Sequence, residues 1–73
     1  MSEAKVYKPS NTMLAILAGA RARYMDYDTM LLKSLREEMV NVSLVPGHDE
    51  ATYWLFSEGV KAIDDIVMGR AVV

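Results

Sequence analysis

The chain contains no cysteine, which excludes disulfide bridges and thiolate-based metal centres. It has a single histidine, His48, so a site built on paired histidines cannot be assembled. His48 lies in PGHDE, where it reads as a turn or cap residue. Proline occurs twice and glycine four times, too seldom for a linker-rich or low-complexity chain, and no internal repeat is present. No apolar run approaches the about 20 residues that cross a bilayer. The opening MSEAKVYKPSN also lacks the apolar centre of a signal peptide. A cytoplasmic location without a membrane partner is therefore expected. An excess of positive charge is missing too: the formal net charge is -2, a sign that disfavours affinity built on neutralising phosphates. Direct, sequence-specific nucleic-acid binding is not expected.

What is present is a short, apolar-rich chain. Its 73 residues are 52% hydrophobic and 25% charged, a globular composition for one domain spanning 1-73. A domain of this size buries only about 60% of its unfolded surface. That leaves little stability to spare for a strained active site.

The organising stretch is Asp49 to Gly69, DEATYWLFSEGVKAIDDIVMG. At about 100° per residue, Leu55, Phe56, Gly59, Val60, Ala62, Ile63, Ile66 and Val67 fall on one face. Ser57, Glu58, Lys61, Asp64 and Asp65 fall opposite. Trp54 and Met68 break the division, because the same rotation sets them among the charges.

Residues 1-10 carry no helical period, and Pro9 biases Lys8 towards extended backbone. Lys5 to Lys8 reads as a short edge strand or a tail. Ser10, Asn11 and Thr12 offer N-caps for a first helix running to about Tyr24 or Met25. Met13, Ile16, Leu17, Ala20 and Tyr24 form its core-facing stripe. Ala15, Ala18 and Ala22 form a small-residue strip, with Gly59 as the expected counterpart. Asp28 caps a second helix from Thr29 to about Val40, with Leu31, Leu32, Leu35 and Met39 on its apolar face. Met30 lies off that stripe. Val40, Val42 and Leu44 then alternate with Asn41, Ser43 and Val45, the period of a strand; the segment reads either as the helix's last turn followed by an extended connector or as a strand paired with Lys5 to Lys8 or with Ala71 to Val73. Pro46-Gly47 reads as a turn, with His48 or Asp49 capping the long helix. Arg70 to Val73 reads as a tail or short strand. The expected architecture is mainly α: a compact three-helix domain with one or two short strands.

No catalytic, metal-binding or cofactor-binding motif appears. Glu37-Glu38 and Asp64-Asp65 are adjacent carboxylates, which a helix turns about 100° apart, so they read as solvated faces and no enzyme activity is expected. Arg21, Arg23, Lys33 and Arg36 would form a basic patch if the first two helices made a DNA-reading helix-turn-helix. Asp26, Asp28, Glu37 and Glu38 offset that patch, and intrahelical pairing and solvation explain the arginines. Trp54 has two readings: covered by Val6 and Tyr7, or exposed as an interface residue of the kind that dominates protein contacts. In the second reading, the partner-binding set is Trp54, Glu58, Lys61, Asp64, Asp65 and Tyr7, suited to a basic segment.

From MSEAKVYKPSNTM through to GRAVV, the whole chain resembles small transcription regulators of lytic phages infecting plant-pathogenic bacteria. The resemblance implies binding to the beta-prime and beta subunits of host RNA polymerase, at the beta-prime N-terminal segment near the beta flap and RNA exit channel. It further implies inhibition of sigma-dependent initiation, readthrough of intrinsic terminators and no cofactor. A monomer is expected. The alternatives are a homo-oligomerising helical protein using Trp54, Met68 and Met30, and a DNA-binding repressor.

Overall fold

A computed structural model describes residues 7-71, and these form three α-helices: α1 (Asn11–Asp26), α2 (Thr29–Ser43) and α3 (Glu50–Ala71). Each start is set by a local side-chain acceptor. Ser10 Oγ accepts from the Met13 amide at 3.2 Å, Asp28 Oδ1 from Leu31 at 2.7 Å and Asp49 Oδ1 from Thr52 at 2.8 Å. Each bond satisfies an amide that the first helical turn leaves without a partner.

The expected strands are not found among the described residues. The Val40 to Val45 segment is the last turn of α2 followed by a turn, with the Leu44 amide donating back to the Val40 and Asn41 carbonyls. Ser43 Oγ also donates to Val40 O at 2.7 Å. A strand needs a neighbouring extended segment to receive its backbone groups, whereas a helix satisfies them locally. Local bonding prevails over a short alternating pattern. The expected tail after Gly69 is corrected in part, because Arg70 and Ala71 continue α3. Lys5, Val6, Val72 and Val73, on which the other strand expectations depend, lie outside the described residues. Gly47 has φ +106°, a left-handed conformation that glycine adopts without strain, and it reverses the chain between α2 and α3.

α3 is the shared floor. Both α1 and α2 pack on it but scarcely touch each other. Tyr7 meets Trp54 near the start of α3, while Met25 O accepts from Arg70 near its end; α1 therefore runs parallel to α3. α2 runs antiparallel, since Arg70 also reaches Thr29 Oγ1 at 3.1 Å and His48 reaches Val42 O at 3.0 Å. The buried centre is Leu17, Leu32, Gly59, Ala62 and Ile63, residues drawn from the expected stripes of all three helices. Ile16 belongs to the α1 stripe yet remains 44% exposed, because the cleft between α1 and α2 stays open above α3.

Gly59 is buried, but not against the α1 alanines. A side chain there would collide with the terminal methyl of Met39, and the Tyr24 hydroxyl lies 3.6 Å away. Ala15, Ala18 and Ala22 face outward. The expected pairing is thus replaced by one with Met39 of α2 and Tyr24 of α1. Tyr24 Oη also donates to Met39 Sδ at 3.7 Å, and burial raises the Tyr24 pKa above its ordinary value. No helix among the described residues is long and apolar enough to cross a membrane.

Candidate functional site

Glu50, Tyr53, Trp54, Ser57, Glu58 and Lys61 follow i, i+3, i+4, i+7, i+8 and i+11 spacing, so α3 presents them as one stripe. With Tyr7 they line an open groove of about 490 Å³. Pro9 and the Ser10 cap carry the chain into α1 so that the Tyr7 ring comes to rest against Trp54, with centroids 5.9 Å apart and planes tilted by 46°. Both rings are half-buried. Trp54 is therefore neither sealed nor fully exposed: Tyr7 covers part of the indole and shares the groove with it. Val6, the other expected cover, lies outside the described residues.

Lys61 Nζ donates to Glu58 Oε2 at 3.1 Å, so this pair is internally balanced and Glu50 carries the groove's remaining charge. Tyr53 borders the groove while its hydroxyl donates to Val45 O at 3.2 Å. His48 stacks edge-on against Tyr53 and Phe56, at 5.3 and 5.6 Å, and its Nε2 meets Val42 O. The histidine is thus committed to joining the loop to α2.

Tyr7, Trp54, Glu58 and Lys61 are brought together as expected, but Asp64 and Asp65 are not part of the groove. Asp64 turns towards α2 and accepts from Arg36 Nε at 2.6 Å. Asp65 turns towards α1 and lines a second groove with Arg21, Met25 and Ile66. Adjacent helical positions separate by about 100°, so Asp64 reaches Arg36 of α2 while Asp65 lies on the α1 side. Glu50, Tyr53 and Ser57 were absent from the expected set. The helical spacing backwards from Trp54 and Lys61 is the signal that identifies them.

The groove combines aromatic faces with a mixed rim of Glu50 and the Glu58–Lys61 pair. Such a surface can seat a guanidinium or ammonium group over an indole or phenol ring while the Glu50 carboxylate faces the charge. Among the described residues, no cluster of three histidine or acidic side chains is placed to hold a metal ion. No protein-family model, curated protein or solved structure matches the chain.

Proposed function

We propose that this protein is a non-enzymatic regulator that binds host bacterial RNA polymerase. Its target is the beta-prime N-terminal segment beside the beta flap, where binding hinders sigma-dependent initiation and promotes readthrough of intrinsic terminators. The polymerase is suggested by the resemblance of the whole chain, from MSEAKVYKPSNTM to GRAVV, to small phage transcription regulators. The contact chemistry is suggested by the paired Tyr7 and Trp54 rings with Glu50 beside them, Glu58 being paired with Lys61. A basic segment docking there gains aromatic contact area and charge complementarity.

The test is to immobilise the chain, present purified host polymerase, and then add the chain to single-round transcription. Retention of polymerase, fewer promoter-initiated transcripts and longer products past an intrinsic terminator support the reading. Failure to retain polymerase rejects it. The repressor reading instead requires a salt-sensitive shift of duplex DNA by the chain alone. Two features disfavour that outcome: Arg36 is engaged by Asp64, and α1 and α2 do not pack together as a helix-turn-helix would.

A further inference from the structure

The cleft that α1 and α2 leave open above α3 is a hollow of about 340 Å³, more enclosed than the Trp54 groove. Sites for small molecules start at about 300 Å³ and are mostly apolar, with a few convergent polar groups. Ile16 and Ala20 of α1, Leu35 and Met39 of α2, and Leu55 and Phe56 of α3 supply the apolar lining. Two small residues keep the space open. Ala20 stands in the core-facing stripe of α1 between Leu17 and Tyr24, and Gly59 lets the Met39 methyl sink against α3 instead of filling the cleft. The α1 wall runs from Ile16 to Tyr24, about 12 Å at the helical rise, which suits one short tail.

The polar groups decide what fits. Among the described residues, Arg23 is the one charged side chain lining the hollow, and no ion pair or hydrogen bond engages its guanidinium. Its neighbour Tyr24 lines the same space, and the one hydrogen bond its hydroxyl makes among the described residues goes to Met39 Sδ at 3.7 Å, a weak acceptor. Burial raises the Tyr24 pKa, with Arg23 opposing, so the phenol keeps its proton at neutral pH and remains a donor. A carboxylate would offer both groups a stronger, charge-assisted partner. Glu38 lines an adjoining hollow of about 210 Å³ that shares Leu35, Met39 and Phe56, so a second anionic group on the same molecule would meet a like charge.

We propose that this cleft binds a monoanionic amphiphile, a medium-chain carboxylate whose head meets Arg23 and the Tyr24 hydroxyl while its tail lies over Leu55 and Phe56. The apolar lining supplies affinity through area removed from water, and Arg23 selects the sign of the head group. The site is separate from the Trp54 groove, and its occupancy does not depend on the polymerase reading.

Amide NMR spectra of the full chain, titrated with decanoate below its micelle-forming concentration and separately with decylammonium, test the proposal. Decanoate is expected to shift the amides of Ile16, Ala20, Tyr24, Leu35, Leu55 and Phe56 with saturation, and to bind about 10-fold more tightly than the cation of the same tail length. The net charge of -2 favours the cation over the surface as a whole, so this order of preference has to come from Arg23. Arg23→Gln, at an exposed position, is expected to keep the spectrum of the folded chain and abolish the preference, and Arg23→Glu to reverse it. The proposal is overturned by decanoate shifts that do not saturate or that spread over the whole surface, by equal affinity for the two amphiphiles, or by an Arg23→Glu variant that still prefers decanoate.

Discussion

The terminal methyl of Met39 on α2 occupies the space that a side chain on Gly59 of α3 would require. This notch allows α2 to lie close to α3, and it makes the two residues interdependent. Gly59→Ala gains helix propensity of about 1 kcal/mol but must displace the methyl towards the open cleft, so a net change below about 1 kcal/mol is expected. In a Met39→Ala background the obstacle is gone, and the same substitution should stabilise by about 0.5–1 kcal/mol. Gly59→Leu should destabilise by about 1–3 kcal/mol through overpacking. Urea unfolding of these variants as a double-mutant cycle measures the coupling, and strict additivity would reject the contact.

Leu32 and Ile63 are the two largest side chains with essentially no solvent exposure, and they join α2 to α3. Truncating either to alanine should cost about 2–5 kcal/mol. That is a large share of the stability available to a domain this small. Circular dichroism at 25 °C should show partial or complete loss of helix, whereas Met30→Ala, at a site 80% exposed, should leave the signal unchanged.

Arg36 and Asp64 pair at 2.6 Å, but both side chains are nearly half exposed. Solvent and salt screen such a pair, so Arg36→Ala should cost no more than about 1 kcal/mol. The difference from wild type should shrink as ionic strength rises. A larger, salt-insensitive loss would show that Arg36 acts by packing rather than by charge.

The Asp49 carboxyl is held below its ordinary pKa, first by hydrogen bonding to the Thr52 side chain, then by the Thr52 amide, with nearby His48 contributing in the same direction. Because the folded pKa lies below the unfolded value, the ionised cap contributes fully above the unfolded pKa of about 3.9. The contribution disappears as pH falls through the folded value. Asp49→Asn should therefore narrow the difference in thermal midpoint between pH 6 and pH 3, and an unchanged difference would remove the cap from the acid response.

Much of this fold was legible because its signals are local. Ser10, Asp28 and Asp49 mark helix starts through side chains that reach only three residues ahead, and the α3 stripe announces its buried face by period alone. What escaped was set by neighbours. At Val40, Val42 and Leu44 the pattern left a strand and a last helical turn both open; no described segment lies extended beside them, so the α2 helix runs on through Ser43. The partner of Gly59 depends on α2 lying antiparallel to α3, which no local pattern states. Asp64 and Asp65 were grouped with Trp54 because they share its polar side of the helix. Their separation follows from where α1 and α2 settle, and Arg36, 28 residues before Asp64 in the chain, gives no sequence cue of the pairing. The Trp54 site was found by its misfit with the hydrophobic period, while Glu50 and Tyr53 carried no misfit and were passed over.

The most direct test is the affinity of Trp54→Ala for purified host RNA polymerase, measured beside its circular dichroism. If Trp54 docks the polymerase as proposed, its truncation costs about 2 kcal/mol or more, so the variant should retain its helices and bind about 30-fold more weakly or worse. A helical variant that binds as tightly as wild type would contradict the account. Loss of the helices would instead make the indole a structural residue and remove the groove as a docking site.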